Sequence, residues 1–343
     1  MQKYGIGFLA AGPVAQSIHI PAVRRYPQQL SVSHIMDIDA GLAQKLGDQH
    51  GAKWTTSEDD LINDPDVHIV VVGSPNQHHA RQVIKACEAG KKLVLAEKPL
   101  ATSEQELAQI REAAEKSGTA IVVGAMHAFD TAYLEALAYW NSLSQTADSF
   151  EVVSYLSTNN EFVDLATQLL LPSETNAPVG GGPRPAPDPV VKVTNGILGL
   201  AMHDIPLIRD FNQAAPKLDF VHPMTGFGYL LQGLIGDATF RFIAQMGGKW
   251  APGWTFRAVG TSASFEIDFQ PSYVLAGSAK VRVTANGEVR EYNNQLSAYG
   301  AEWEEIINIV AGGKPARYPI SRIEDDSAFA LAMIQQLPGL MYA

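Results

Sequence analysis

The residues of this chain best placed to do chemistry form the tripeptide Glu97-Lys98-Pro99, which directly follows the apolar run Leu93 to Ala96. A charged pair followed by proline cannot continue a buried strand, so we expect Lys98 to emerge at the carboxyl edge of a sheet. Open α/β sheets place their ligands at that edge. Pro99 lacks an N–H and restricts the backbone of Lys98, which would hold the ammonium group in a fixed direction. A solvated lysine at a strand end is the alternative, and the surrounding pattern disfavours it.

A turn suited to a dinucleotide follows the first predicted strand. Such a site needs a tight turn, a residue without a side chain where the pyrophosphate approaches, and a small residue where the helix meets the strand. Gly12 and Ala15 meet the second and third needs. Ala10 stands where the first glycine is usual, and we expect a negative φ there because alanine is strained at positive φ. A phosphate loop is excluded, because Pro13 and Val14 stand where it requires Lys and Ser or Thr.

An acidic residue ends the second predicted strand. Asp37 follows Leu30 to Met36, at a distance from Gly12 that suits a carboxylate accepting hydrogen bonds from an adenosine ribose. Ile38 comes next, and no arginine beside it is available for a 2′-phosphate. The sequence therefore favours NAD over NADP as the cofactor. A turn carboxylate before the next helix is the alternative role for Asp37.

Apolar strands and helices then alternate. The later strands of this part are predicted at 67–73, 93–96 and 119–124. Strands that are apolar throughout are buried on both faces, as in a parallel sheet. One helix has a capping box, Ser103 with Glu106, and a stop at Gly118. We predict an α/β fold that begins with a Rossmann-type doubly wound parallel sheet over residues 1–125.

Residues 126–343 begin with a helix that Asp130 can cap, and they are rich in short β-prone segments. These segments lie at 150–156, 238–244, 254–260, 264–269, 279–285 and 288–292. Asn286-Gly287 between the last two is a strong hairpin signal. We predict a mostly antiparallel sheet backed by helices. The Pro- and Gly-rich stretch 172–189 is either a lid that brings Arg184 or Asp188 over a substrate, or an inert excursion.

These residues resemble the glucose-fructose oxidoreductase, inositol dehydrogenase and rhizopine catabolism (Gfo/Idh/MocA) family across essentially the whole chain. The resemblance is carried by Asp37, Ser74-Pro75-Asn76 with His79, Glu97-Lys98-Pro99, Gly124 to Asp130 and His203-Asp204. It implies a C-terminal α+β domain, residues 126–343, whose large open sheet serves substrate binding and oligomerisation. It also implies these cofactor contacts: Ala11, Gly12, Pro13, Val14, Asp37, Ile38, Ser74, Pro75, Asn76, His79, Glu97 and Lys98.

By the same resemblance, Lys98 lies beside the nicotinamide and stabilises a developing alkoxide, and His203 is the candidate base for the substrate hydroxyl. The residues expected to contact substrate are Lys98, His127, Asp188, His203 and Asp204. Both Lys98 and His203 are therefore predicted to be catalytic.

Two positions depart from the family pattern. Family dehydrogenases often carry an aspartate four residues before the histidine, but Gly199 stands there, and His127 and Ala128 replace basic residues common after the fifth strand. Another acid must then orient His203. Adjacent helical residues diverge by about 100°, so we expect Asp204 to bind substrate or cap its helix, and Asp188 to approach His203 as the loop closes.

The family's open sheet would leave an apolar stripe uncovered. We predict that this stripe joins a homodimer or homotetramer sheet to sheet. Its members are Phe240, Phe242, Ala244, Phe265, Ile267 and Phe269.

Composition agrees with a soluble enzyme. The net charge of −11 argues against nucleic acid or an anionic membrane as a partner. The single cysteine, Cys87, fits a reducing compartment, and no apolar segment is long enough to span a bilayer, so a cytoplasmic location is expected. No histidine, cysteine and carboxylate spacing typical of a metal site occurs.

The predicted activity is reversible hydride transfer between NAD and a hydroxyl-bearing carbon of a sugar, polyol or inositol-like substrate. Two other classes stay open: a non-catalytic, NAD-binding sugar sensor, and an NAD-dependent enzyme that cleaves glycosides without net oxidation.

Overall fold

The computed structural model describes residues 2–157, 159–172, 188–247, 253–312 and 315–341. The chain divides into two compact units. The first takes Met1–Gly124, Val163–Pro185 and Trp303–Asp325, and the second takes Ala125–Phe162, Ala186–Glu302 and Asp326–Ala343. Arg184 and most of the predicted lid lie outside the described residues. No helix in the described part of the chain combines the length and the apolar character that a membrane crossing needs.

The first unit contains six strands: β1 (Tyr4–Leu9), β2 (Leu30–Met36), β3 (Lys53–Thr55), β4 (Ile69–Val72), β5 (Leu93–Ala96) and β6 (Ala120–Val123). They form one sheet in the order β3-β2-β1-β4-β5-β6, and all neighbours pair in parallel. The order reverses between β1 and β4, and such a reversal is where doubly wound sheets bind ligands, at the carboxyl ends of the strands. The predicted Rossmann-type sheet is confirmed.

Helices connect these strands: α1 (Ile20–Val23), α2 (Ala40–His50), α3 (Glu58–Ile62), α4 (His79–Glu88) and α5 (Glu104–Ser117). The predicted ends of α5 are confirmed. The Ser103 hydroxyl oxygen accepts a hydrogen bond from the N–H of Glu106 at 3.2 Å, and Gly118 ends the helix with a φ of +71°. β1, β4 and β5 are buried along their whole length, which explains their continuous apolar sequence.

The second sheet has eight strands: β7 (Ser149–Leu156), β8 (Pro216–Pro223), β9 (Tyr229–Ile235), β10 (Ala238–Met246), β11 (Trp254–Val259), β12 (Ala263–Asp268), β13 (Lys280–Ala285) and β14 (Glu288–Tyr292). Their order is β14-β13-β12-β11-β7-β10-β9-β8. β7 pairs with β10 in parallel, and the other neighbours pair antiparallel. The predicted mostly antiparallel sheet is confirmed. Asn286 and Gly287 form the predicted hairpin turn, with φ values of +52° and +79°.

The remaining helices are α6 (Thr131–Ser142), α7 (Asn159–Ala166), α8 (Pro189–Gly199), α9 (Ile205–Phe211), α10 (Ala298–Val310) and α11 (Ile320–Met341). Asp130 caps α6 as predicted, because its Oδ1 accepts hydrogen bonds from the N–H groups of Ala132 and Tyr133. Its Oδ2 accepts from the N–H of Ala279 at 2.7 Å. One carboxylate thus joins the start of α6 to the strand region before β13.

The apolar stripe predicted to face outward is instead part of the core of the second unit. Its members Phe240, Phe242, Ala244, Phe265, Ile267 and Phe269 are all buried. Helix side chains cover it: the rings of Trp140 on α6 and Phe211 on α9 lie 6.1 and 5.2 Å from that of Phe265. The prediction that this stripe forms an oligomer contact is therefore wrong.

The opposite face of the same sheet carries a row of alternating charge. Strand registers place these residues side by side, in order: Arg241, Glu151, Arg257, Glu266, Arg282 and Glu291. Ion pairs join Arg241 to Glu151, and Arg282 to Glu291 at 2.8 Å. Because opposite charges face each other across the strands, this face is compatible with water without an apolar partner.

Gly233 of β9 marks a close approach of two strands. A Cβ atom there would lie 1.9 Å from the carbonyl oxygen of Lys217 on β8, and backbone cannot yield without disturbing the pairing. We expect Gly233→Ala to lower the free energy of unfolding by about 2 kcal/mol or more, seen as a lower urea midpoint. Gly339→Ala in α11 is the control, since nothing lies within 4 Å of a Cβ there. Equal midpoints for the two variants would contradict this reading.

Candidate functional site

The carboxyl edge of the first sheet begins with the turn after β1. Ala10 has a φ of +82°, so the predicted negative value is wrong. Alanine here takes the left-handed conformation usually left to glycine, which costs about 1–2 kcal/mol. The N–H of Ala10 donates to the carbonyl of Met36 at 3.0 Å, and the N–H of Ala11 donates to Asp37 Oδ2 at 2.9 Å. These two bonds to the end of β2 stabilise the strained turn.

The surroundings of this turn fit a dinucleotide. Nothing lies within 4 Å of the position that a Cβ would take at Gly12, so a phosphate group can approach the backbone closely. Asp37 is fixed at the edge, because its Oδ1 accepts from the N–H of Asp39 at 2.9 Å while Oδ2 bonds Ala11. Ile38 beside it is 82% exposed and offers an apolar surface that a flat base could cover.

The segment before residue 172 is tied to the same turn. Gln16 follows the turn, and its side-chain amide donates to the carbonyls of Ala11 at 2.7 Å and Leu170 at 3.1 Å. Its Oε1 accepts from the N–H of Leu170 at 2.8 Å. Sequence reasoning did not find this contact, because it joins positions far apart in the chain.

The loop after β4 is held by a buried histidine. His79 is 1% exposed, and its ring nitrogens lie 2.6 Å from the carbonyl oxygen of Ser74 and 2.7 Å from that of Pro99. Carbonyl oxygens only accept hydrogen bonds, so a ring that carries both protons makes both bonds. The Ser74 hydroxyl donates to Gln82 Oε1 at 2.6 Å. The predicted cofactor loop, Ser74 to Asn76, is therefore joined to the residue after Lys98.

Glu97 lies at the centre of a second network on this edge. His19 Nε2 is 2.9 Å from Glu97 Oε1, and Trp303 Nε1 donates to His19 Nδ1 at 3.3 Å. Because Nδ1 accepts from tryptophan, Nε2 carries the ring proton and donates it to the carboxylate. A Cβ at Gly124 would lie only 2.8 Å from Glu97 Oε1, which explains the glycine at the end of β6.

Burial and neighbouring charge shift the pKa values of Glu97 and Lys98. Burial alone would raise the pKa of Glu97, but the hydrogen bond from His19 and the electrostatic influence of His19, Lys98 and His79 lower it below its ordinary value. Burial lowers the pKa of the Lys98 ammonium, and the Glu97 carboxylate partly opposes that shift. The edge thus carries a carboxylate and a desolvated lysine side by side.

The second unit contains a separate cluster around Asp204. Asp204 is 1% exposed, and its Oδ1 lies 3.1 Å from His127 Nδ1. Trp254 Nε1 donates to Asp204 Oδ1 at 3.1 Å and Oδ2 at 3.0 Å. The prediction that Asp204 caps α9 is wrong, because its side chain makes no capping bond. Its carboxylate instead bonds two aromatic side chains distant in sequence.

Aromatic rings surround this carboxylate. The ring of His127 stacks on that of Phe269 at a centroid distance of 3.6 Å and an angle of 7°. The rings of His127 and His203 are 5.6 Å apart, and both contact Trp254 edge to face, at 4.7 and 5.4 Å. The structure therefore brings together three predicted site residues, His127, His203 and Asp204.

Burial shifts the pKa of Asp204 and of Tyr229. It raises the pKa of Asp204 above its ordinary value, against the lowering effect of the bonds from His127 and Trp254. The pKa of Tyr229 is also raised, by burial and by the negative charge of Asp204.

Asp188 lies away from His203 along the chain. Its Oδ1 accepts from the N–H of Val190 at 2.7 Å, so it caps the first turn of α8. His203 follows the other end of that helix, and 11 residues of α-helix span about 16 Å. The expectation that Asp188 approaches His203 as the loop closes stays a prediction. Gly199, at the end of α8, has only Phe227 within 4 Å of its Cβ position, at 3.7 Å.

Within the ranges given above, no three histidine, cysteine or carboxylate side chains come together in a way that could hold a metal ion. Cys87 is buried, and burial raises its pKa, which disfavours the reactive thiolate.

A family model described as "Oxidoreductase family, NAD-binding Rossmann fold" matches residues 5–125. Residues 5–125 therefore carry the NAD-binding Rossmann domain of the Gfo/Idh/MocA family. The match ends one residue past the edge glycine, Gly124, and includes the turn, Asp37, His79 and the Glu97-Lys98-Pro99 element.

Curated relatives each match part of this chain. An inositol 2-dehydrogenase/D-chiro-inositol 3-dehydrogenase of Lactiplantibacillus plantarum is 35% identical over 134 residues, 38% of this chain and 36% of that protein. The scyllo-inositol 2-dehydrogenase (NAD(+)) of Bacillus subtilis is 34% identical over 95 residues, 28% of this chain and 27% of that protein. The chain therefore aligns with well under two thirds of the length of these relatives.

Solved structures share the fold of the whole chain. An oxidoreductase from Thermotoga maritima has a TM-score of 0.74 at 17% identity, covering 97% of this chain and 96% of that one. The 3-ketoreductase KijD10 of Actinomadura kijaniata, in complex with TDP-benzene and NADP, has a TM-score of 0.73 at 16% identity, covering 96% of each chain. At these identities the likeness shows the fold alone.

The strain at Ala10 is testable. We expect Ala10→Gly to raise the free energy of unfolding by about 0.5–1 kcal/mol, because glycine takes a positive φ without strain. Ala11→Gly is the matched control. Ala11 is fully buried and lacks a positive φ, so the same change there should be destabilising. Thermal unfolding of the two variants measures the difference, and a less stable Ala10→Gly protein would contradict the account.

Proposed function

We propose that this chain is an NAD-dependent oxidoreductase acting on a hydroxyl-bearing carbon of a sugar, polyol or inositol-like substrate. The observation that carries the proposal is that Lys98 follows the anchored Glu97 on the sheet edge that also bears the open turn at Gly12 and the carboxylate of Asp37. The inositol dehydrogenases among the relatives support this substrate class.

The cofactor would be held by residues of the first unit. Gly12 leaves room for the pyrophosphate, Asp37 retains acceptor capacity for ribose hydroxyls, and exposed Ile38 would contact the base. When bound, the nicotinamide supplies the two-electron acceptor for a hydride that leaves the carbinol carbon. Asp37 would repel a 2′-phosphate, which favours NAD over NADP, although KijD10 is a structural neighbour in complex with NADP.

Two side chains of this protein are proposed to act on the alcohol. The lysine of the edge, Lys98, would stabilise negative charge on the reacting oxygen, and its partial burial strengthens that interaction. His203 would accept the hydroxyl proton, because an imidazole is the side-chain base suited to neutral pH. His79 and His19 would act as positioning residues, since each bonds a neighbour of Lys98.

A panel assay separates this function from its alternatives. The protein would be incubated with NAD and polyols, sugars or glycosides while the absorbance of reduced nicotinamide is followed. An oxidoreductase produces a lasting rise with at least one polyol or sugar. A sensor binds its ligand but leaves the absorbance of reduced nicotinamide unchanged. A glycoside-cleaving enzyme releases free sugar without a net reduction of NAD.

With a substrate from that panel, Lys98→Met should lower kcat by about 100-fold or more and leave NAD affinity nearly unchanged, because the ammonium is assigned to the reacting oxygen. Lys45→Met, at an exposed lysine of α2, is the matched control and should keep wild-type turnover. A Lys98→Met enzyme with half the wild-type rate would refute the assignment.

Asp37→Ala should narrow the preference for NAD over NADP. Asp37 also bonds the turn at Ala11, so its loss will weaken both cofactors. The ratio of the two dissociation constants cancels that shared effect, and calorimetric titration measures it directly. A wild-type protein that binds both cofactors equally, or a variant with an unchanged ratio, would contradict the role of Asp37.

Assembly and location remain predictions from sequence. A homodimer or homotetramer joined through the second sheet would use the face with the alternating charges, since the apolar stripe is buried. A monomeric mass by light scattering at micromolar concentration would refute the oligomer.

A further inference from the structure

We propose that His127 is a second proton-accepting residue of the reaction, held in position by the buried carboxylate of Asp204. The proposal rests on the proposed function. His127 Nδ1 and Asp204 Oδ1 lie 3.1 Å apart, and the two side chains are 3% and 1% exposed. A buried pair of this kind is the arrangement by which proteins orient a catalytic imidazole.

The hydrogen bonds around Asp204 determine which nitrogen of His127 carries the proton. Trp254 Nε1, which can only donate, approaches both oxygens of Asp204, at 3.1 and 3.0 Å. This N–H favours the ionised carboxylate, although burial raises the pKa of Asp204 above its ordinary value. An ionised carboxylate only accepts, so His127 carries its proton on Nδ1. Its Nε2 then presents the lone pair that a base needs.

Stacking fixes the direction of that lone pair. The ring of His127 lies parallel to Phe269, at 3.6 Å and 7°, and edge to face with Trp254, at 4.7 Å. Rotation of the His127 ring would break its contacts with Phe269 and Trp254 and its hydrogen bond to Asp204.

His127 also lies close to the candidate base. Its ring is 5.6 Å from that of His203, so both imidazoles face the same region of the second unit. The other titratable groups near the pair are Tyr229 and Asp130, and burial raises the pKa of both. Asp204 would supply the negative charge that stabilises a proton on either ring.

The chemical balance is simple. As the carbinol carbon loses a hydride to the nicotinamide, the substrate hydroxyl loses its proton to an imidazole lone pair and the C–O bond becomes a carbonyl. The proton later returns to solvent. His127 Nε2 and His203 would share this proton, with Asp204 as a positioning residue.

Matched variants distinguish a role of the His127–Asp204 pair in proton transfer from a role in stability alone. His127→Asn places an amide nitrogen near the former Nδ1, so the bond to Asp204 is retained while Nε2 is lost. Tyr133→Phe is the control, because the Tyr133 hydroxyl donates to Asp210 of α9, the helix that follows Asp204, at 2.8 Å. If the contacts with α9 only stabilise the fold, both variants will alter stability and neither will alter the chemistry.

The test is the pH profile of kcat/KM with a substrate from the panel assay. We expect His127→Asn to lower kcat by about tenfold or more and to shift the acid limb, and Tyr133→Phe to leave both unchanged. An active wild type with a His127→Asn variant of normal kcat and profile would overturn the proposal.

A second readout needs neither cofactor nor turnover. Nitrogen-15 shifts of the His127 ring should show the Nδ1–H form at neutral pH in the wild type, and Asp204→Asn should disturb it. An Nε2–H ring in the wild type would overturn the proposal. A wild type inactive on the whole panel would instead refute the proposed function, and the ring tautomer would still decide whether Asp204 prepares His127 as an acceptor.

Discussion

The carboxylate of Glu97, whose side chain is 15% exposed, is the group on which the candidate edge depends. A carboxylate removed from water needs hydrogen-bond donors and positive charge, and His19 and Lys98 supply them. Trp303 fixes the tautomer of His19, and Gly124 must lack a side chain because Glu97 occupies that space. The end of β5, after which Lys98 emerges, is thus held by contacts to His19 and, through it, to Trp303 of α10. Removing His19 would take away the hydrogen-bond donor to this carboxylate.

A second carboxylate, the buried Asp204, plays the corresponding part in the other unit. It joins His127, from the segment after β6, to Trp254 at the start of β11. Leaving the Asp204 carboxylate without these donors would cost folding free energy. At 1% exposure it would have to be protonated or to draw water into the core. The carboxylates of Glu97 and Asp204 each fix the position of the histidine that they bond, His19 and His127. Of the proposed chemical groups, Lys98 directly follows Glu97, and His127 is bonded to Asp204.

Sequence patterns predicted the elements whose signal is local. The strands β1, β4 and β5 are apolar throughout because both faces are covered, and the caps of α5 and α6 need only neighbouring residues. β8 and β9 were missed. β8 has proline at both ends, and β9 contains Gly233, which strand patterns disfavour but which the approach of Lys217 requires. Alternation in β10 and β12 showed which residues share a face, but only tertiary packing decides which face is covered.

The sequence predicted the part of the candidate site that lies where the parallel strands of the first sheet end. That rule alone gathers the turn, Asp37, the Ser74 loop and Lys98 at one edge. The partners of these residues were not predictable, since His19 and Trp303 are 284 positions apart and His127 and Asp204 are 77 apart. The most direct test of the account is deuterium transfer from a substrate labelled at the carbinol carbon. The account predicts that reduced cofactor gains one mass unit of label at the nicotinamide. Reduced cofactor without label, or oxidised cofactor throughout, would contradict it.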